Sequence, residues 1–274
     1  MSSRRWHPRD RMIGARLRAV RTERAGLLLE DAARLLGTST VTLSRTENGL
    51  RHIPSEEVAT LVTAYGLPAE ERAEFIADAR WDNPSCVWDR HLSGLPLDTV
   101  FTSYFDDAYA LVDWSVSLVP RFLQVEDYAI ALLRSAGLSP EGARRRWRAT
   151  KKLQGRLGTV DYTAYIGETA LYRPFGGPAA HRDQLAHLCG LRDRGIGLRI
   201  VPEHLPVGVV SHSWLHMAFP RTAPVVTVTV LDNNFYLHND QAQLYDRQLA
   251  LLDKIALPAD TSRDKVSAIM ECVA

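Results

Sequence analysis

Residues 26–54 read GLLLEDAARLLGTSTVTLSRTENGLRHIP, and the punctuation of this stretch decides the fold of the N-terminal part of the chain. Leu29 to Leu36 predicts a short helix with Ala32 and Ala33 small on its inner side. Gly37 breaks the pattern, Thr38 or Ser39 offers a cap, and Val41 to Asn48 supplies the next helix with Leu43 turned inward. Asn48-Gly49 stops that helix. A small residue at Ala33 lets two helices cross closely, and Gly37 can take the left-handed backbone of a tight corner between them.

Working outward, Ile13, Leu17 and Val20 recur at helical spacing, so residues 12–25 read as an amphipathic helix ending near Gly26. Pro54 opens a fourth helix through Tyr65 and Pro68 a fifth through Ala79. From Trp81 to Thr99, with Pro84, Gly94 and Pro96, no period is sustained, which suggests a linker or an extended packing segment. Helices are expected over 103–119, 126–136 and 140–154, then over 183–194, 241–256 and 261–272. Alternating β-branched and aromatic residues predict strands at 160–166, 198–201, 217–219, 225–231 and 235–238. The expected fold is α+β: an all-α five-helix domain over 1–80, a linker over 81–105, and an α+β domain over 106–274.

The chain has 274 residues, enough for two domains, and its net charge of +1 hides an asymmetry. Residues 1–53 hold eleven arginines against five acidic residues, an excess of six positive charges, so the rest is acidic by five. Clustered positive charge of this kind is a footprint of nucleic-acid binding. No apolar run approaches a membrane span, and the N-terminus lacks the apolar stretch of a secretory signal, so a cytoplasmic location is expected. Cys86, Cys189 and Cys272 are far apart and show no ligand spacing, so neither a disulfide framework nor a zinc site is indicated.

The stretch from Gly26 to Pro54 resembles the Xre family of repressors, which share the phage lambda repressor fold. Gly26, Leu27, Ala33, Gly37, Ser39, Leu43, Ser44, Arg45, Glu47, Asn48, Gly49 and Pro54 fall on the family pattern. The resemblance implies binding to double-stranded DNA, with the third helix in a major groove about 12 Å wide. Thr40, Val41, Thr42 and Arg45 would then meet base edges, Arg45 through a bidentate pair with guanine and Thr40 and Val41 through thymine methyl contacts. Ser39, Asn48, Arg51 and His52 would contact phosphate. Arg4, Arg5, Arg9 and Arg11 would form a basic arm ahead of the first helix, with Arg9 and Arg11 on phosphates. The motif itself would rest on Ala33, Gly37, Leu43, Glu47 and Gly49. Three positions depart from the pattern: Thr40 stands where Gln is frequent, Leu28 stands where a capping residue is usual, and one extra residue separates Arg21 from Gly26. In relatives a first-helix arginine pairs with the glutamate matching Glu47; Arg21 is the candidate here and Arg24 the alternative.

Residues 106–272 resemble the domain that follows an Xre-type motif in many actinobacterial regulators. The resemblance rests on ValProArgPheLeuGln at 119–124 with Tyr128-Ala129, GlyGluThrAlaLeu at 167–171, GlyGly at 176–177 ahead of Gln184-Leu185 and Leu188, and LeuArgIleValPro at 198–202. It implies a small neighbour-encoded protein partner of the toxin–antitoxin kind. Because one recognition helix reads few base pairs, a homodimer is expected, with the second domain dimerising, binding a partner or sensing a small-molecule effector; the alternative is an antitoxin-like protein whose DNA binding serves autoregulation. No cofactor, metal or catalytic residue is expected. His212 and His216 lack a third ligand, and Glu168 lacks a nucleophile and base beside it. Trp214, Phe219, Phe235, Tyr236 and Tyr245 read as core rather than as an effector pocket. Arg144, Arg145, Arg146, Arg148, Lys151 and Lys152 form a basic cluster around Trp147 on several faces of a helix, which does not imply a single groove-binding stripe.

Overall fold

Pro8 opens helix α1 (Pro8–Ala19), where a missing N–H is no loss, and the helix continues into a single π-helical turn over Val20–Arg24. There Ala25 donates its N–H to the Val20 carbonyl, five residues back, at 2.9 Å. A π turn takes up one more residue than an α turn. In this computed structural model of the 274-residue chain, residues 8–80, 86–89, 98–204, 212–220, 222–230 and 233–273 are described.

The chain divides into two compact units, one of residues 1–107 with 219–243, the other of residues 108–218 with 244–274. In the first, α1 is followed by α2 (Leu29–Leu35), α3 (Thr40–Glu47), α4 (Ser55–Ala64) and α5 (Ala69–Arg80). Ile13, Leu17, Val20, Ala32, Ala33, Leu43, Val58, Val62 and Phe75 are all buried and form the core of this helical bundle. The segment expected as a linker carries strand β1 (Cys86–Asp89) and the start of α6 (Thr99–Asp107), and α6 packs on α1. Trp81, Pro84, Gly94 and Pro96 lie outside the described residues. Far along the sequence, β6 (Val225–Val230) and β7 (Asn233–Leu237) return to this unit, where β1, β7 and β6 pair antiparallel in that order. The inner face of this sheet meets α6 through Tyr104, which is fully buried, stacks on Tyr236 at 4.8 Å and shares a 3.0 Å hydrogen bond between its hydroxyl and His238 Nε2.

The second unit is built on β2 (Ala110–Ser115), which lies between β3 (Asp161–Gly167), parallel to it, and β5 (Trp214–Ala218), antiparallel; β4 (Gly197–Val201) extends the sheet parallel to β3. The sequence predicts a helix over 103–119, whereas the structure has α6 followed by β2. The strand reads AlaLeuValAspTrpSer: its first three residues are an unbroken apolar run, and the alternation of Val112, Asp113, Trp114 and Ser115 is too short to separate it from the helical pattern ahead of it. Helices α7 (Glu126–Ser135), α8 (Pro140–Gln154), α9 (Gly177–Cys189) and α11 (Ala259–Glu271) belong to this unit; α7 packs on α8 and α9, and α11 on α9 and β4. The remaining helix, α10, runs from Asn239 to Ile255. No helix among the described residues is long and apolar enough to cross a membrane.

Candidate nucleic-acid interface

The corner between α2 and α3 is made by Gly37, whose φ of 63° is the left-handed conformation that favours glycine. Thr38 donates its N–H to the Ala33 carbonyl at 2.9 Å and Gly37 to Arg34 at 3.2 Å, closing the end of α2. Ser39 then caps α3, its Oγ accepting from the Thr42 N–H at 3.1 Å and lying 2.9 Å from the Thr42 hydroxyl. Ser39 and Thr42, expected at a phosphate and a base, are therefore tied to each other and fix the first turn of the helix.

Helix α3 presents two unlike faces. Leu43, Thr46 and Glu47 are buried, while Val41 is 67% exposed, Thr42 and Arg45 are exposed and Thr40 is half-buried. Among the described residues Arg45 makes no side-chain hydrogen bond or ion pair. Of the arginines in 1–53, only Arg18 shares that condition within the described part; Arg4 and Arg5 lie outside it. The other described arginines have partners within the chain, Arg34 and Arg24 in exposed pairs with Asp31 and Glu71, so much of the positive charge legible in the sequence is answered locally among the described residues.

The inner face explains where that charge goes. Arg21 grips Glu47 with two bonds, Nε to Oε1 at 2.6 Å and Nη2 to Oε2 at 2.8 Å, and its third nitrogen donates to the Leu27 carbonyl at 2.7 Å. Both side chains are buried, and the bond to Glu47, against the opposing cost of burial, holds the Arg21 guanidinium above its usual pKa. Arg24 pairs instead with Glu71. Arg21 is thus the partner of Glu47.

Arg9 and Arg11, expected in an arm on phosphates, are instead buried within α1. Arg9 donates to the Ala79 carbonyl at 2.5 Å and to Asp10, and Arg11 donates to the Ser103 carbonyl and to Asp107 at 2.7 Å. Arg16, which the sequence did not single out, bridges Asp78 at 2.6 Å and Asp89 at 2.8 Å. Asp78, Asp89 and Asp107 lie far away in sequence, and their pairing with α1 is what turns a row of arginines into internal structure.

The segment after α3 is equally fixed. Asn48 donates to the Ser44 carbonyl at 2.7 Å, Arg51 donates to Thr46 Oγ1 at 2.8 Å and to both oxygens of Glu57, and His52 Nδ1 lies 3.3 Å from Asp10 while the Ile53 N–H donates to that same carboxylate. Asn48 and His52 keep exposed side chains, whereas a phosphate at Arg51 would have to share it with Glu57. Beneath this segment the backbones touch. A Cβ on Gly49, whose φ is 63°, would stand 2.5 Å from Arg11 Cα, and one on Gly14 would stand 2.5 Å from the Thr46 carbonyl oxygen and 2.9 Å from that of Glu47. Gly14 escaped the sequence reading because a lone glycine inside a helix carries no signal of what crosses it. Gly14→Ala should be destabilising: helix propensity favours alanine by about 1 kcal/mol and overpacking opposes it by about 1–3 kcal/mol. A lowered unfolding midpoint together with weakened DNA binding is the expected result, since α3 is the element displaced.

In the second unit the sequence signatures are structural ties. Gln184, fully buried on α9, accepts from the Val125 N–H and donates to the Leu123 carbonyl, both at 2.8 Å, and Gln124 donates to the Val119 carbonyl at 2.7 Å. A side chain on Gly167 would overlap the Val116 carbonyl oxygen. Glu168 accepts from Lys265 at 2.7 Å and from the Glu203 N–H at 3.3 Å; burial works to raise its pKa, and these bonds together overcome that and hold it low. His212 bonds the Tyr245 hydroxyl at 2.8 Å and His216 faces Asp246 at 3.5 Å, so the two histidines have separate partners. No cluster of three or more metal-ligating side chains occurs among the described residues. The aromatic residues also separate: Trp214 packs edge-on to Tyr245, Phe219 and Tyr236 surround Tyr104, and Phe235 stacks on Trp88.

Asp113 on β2 is a carboxyl whose pKa burial raises toward neutral pH. Burial pushes its carboxyl to about 6, against the lowering effects of the Tyr162 hydroxyl, which donates to it at 2.8 Å, and of the Arg121 charge. A carboxyl that holds its proton more tightly folded than unfolded costs stability as pH rises from the ordinary aspartate value of 3.8 to about 6, with no further loss above that. Asp113→Asn should remove this pH dependence and raise stability at neutral pH. Denaturant unfolding at pH 4 and pH 7 provides the check.

Two family models match the chain: one described as a helix-turn-helix domain over residues 13–75, and one described as a domain of unknown function, DUF5753, over residues 101–268. No curated protein matches the sequence. The first match covers the α2–α3 corner and supports a DNA-binding regulator. The second spans more than half of the chain, and the protein therefore belongs to the DUF5753 family, with a helix-turn-helix domain in front of the family's own.

Proposed function

We propose that the protein is a sequence-specific transcription regulator that lays α3 in the major groove of duplex DNA. The reading is carried by one contrast: the inner face of α3 is locked by the Arg21–Glu47 pair, while its outer face offers Val41 and Arg45 to solvent, Arg45 without an internal partner among the described residues. An exposed guanidinium held by a rigid helix suits a bidentate pair with guanine O6 and N7, and an exposed valine suits a thymine methyl. Thr40 and Thr42 flank these two and adjust the fit. Asn48 and His52 set register on phosphates.

A single eight-residue helix reads few base pairs, which argues for a homodimer on two half-sites about 34–36 Å apart. On this reading the second unit dimerises the chain or receives a protein or small-molecule effector, and it is not catalytic; the engagement of Glu168 by Lys265 favours a structural role for that carboxylate. Repeated selection of duplexes from a random library by the full chain tests the proposal. Enrichment of a two-fold symmetric motif supports it, enrichment of a single short site removes the dimer, and the absence of enrichment removes the function.

A further inference from the structure

Helix α8 carries a second, separate concentration of positive charge. Its inner face is Ala143, Trp147, Thr150 and Leu153, all buried. Arg144, Arg145, Arg148, Lys151 and Lys152 are exposed, and none has an ion pair among the described residues. At about 100° per residue these five fall within an arc of about 120°, along about 12 Å of helix. Arg146, half-buried, is the member of the cluster that lies off this arc, so what reads in sequence as charge on several faces is in the structure one cationic stripe. Glu141, in the first turn, is the only acidic residue of the helix.

We infer that this stripe binds the phosphate backbone of duplex DNA, an inference that rests on the DNA-binding reading above. Five like charges held side by side repel one another, which is tolerated at a surface and favourable only opposite a polyanion. A protein partner fits less well. Interfaces between proteins are built on an apolar, charge-depleted centre, and no exposed apolar residue interrupts these five cations. Contacts of this kind carry no base information; they add affinity and salt dependence.

The test is the salt dependence of binding by the full chain, measured on a duplex enriched by the selection described above and on a scrambled duplex of equal length. The triple variant Arg144→Gln, Arg148→Gln, Lys151→Gln replaces exposed side chains only, and its thermal unfolding should match that of the parent. Arg247→Gln with Lys254→Gln, two exposed cations elsewhere in the same unit, controls for overall charge. Each lost phosphate contact reduces the slope of log affinity against log salt by about 0.9, so the triple variant should lose about 2 to 3 units on both duplexes while keeping its preference between them. An unchanged slope overturns the inference, as does an equal loss in the control. So does an unchanged slope accompanied by lost retention of an acidic protein, which would assign the stripe to a protein partner. A parent chain with no preference between duplexes would instead count against the base-reading role of α3, a different failure.

Discussion

Arg21→Ala is expected to unfold the helical domain at temperatures the parent tolerates. Truncation leaves the Glu47 carboxylate buried without a counter-charge and the Leu27 carbonyl without its donor, and breaking a buried pair from one side costs about 3–5 kcal/mol. Against a total domain stability of about 5–15 kcal/mol, that is a large fraction. The double replacement Arg21→Met with Glu47→Leu should regain much of the loss, because an apolar pair of similar volume has no stranded charge. Thermal melts of the two variants separate the explanations: if the single variant is as stable as the parent, the pair does not hold α3 in place.

Arg45→Ala is the complementary experiment, with the largest expected effect on binding and almost none on folding. The side chain is exposed and has no internal partner among the described residues, so its removal should leave the melting temperature unchanged. A bidentate guanine contact is worth about 1–3 kcal/mol of discrimination, and affinity for the selected duplex should fall by about 5- to 150-fold with little change on a scrambled one. An equal loss on both duplexes would place Arg45 on a phosphate instead.

Much of this site is written locally, which is why it could be read from the chain. The corner at Gly37, the stop at Gly49, the small inner residues of α2 and the division of α3 into inward and outward side chains depend on neighbours within a few positions. What was misread depends on partners far away. Nothing near Arg9, Arg11 or Arg16 announces that Ala79, Asp78, Asp89, Ser103 and Asp107 will receive them, and so Arg9 and Arg11 read as part of a basic arm. The choice between Arg21 and Arg24 was settled by Glu71, a distant residue that takes Arg24 while Arg21 takes Glu47. Strand β2 was hidden because its alternation, Val112 to Ser115, covers only four residues directly after an apolar run. The return of β6 and β7 to the unit that contains α1 is likewise a property of topology, invisible to any window along the sequence.

The most direct measurement for α3 in the groove is methylation interference on a selected duplex, comparing guanines methylated at N7, in the major groove, with adenines methylated at N3, in the minor groove. Interference confined to discrete guanine N7 positions, one of which becomes silent in Arg45→Ala, is the predicted result. Binding that tolerates every N7 methyl group and is blocked at adenine N3 would contradict it.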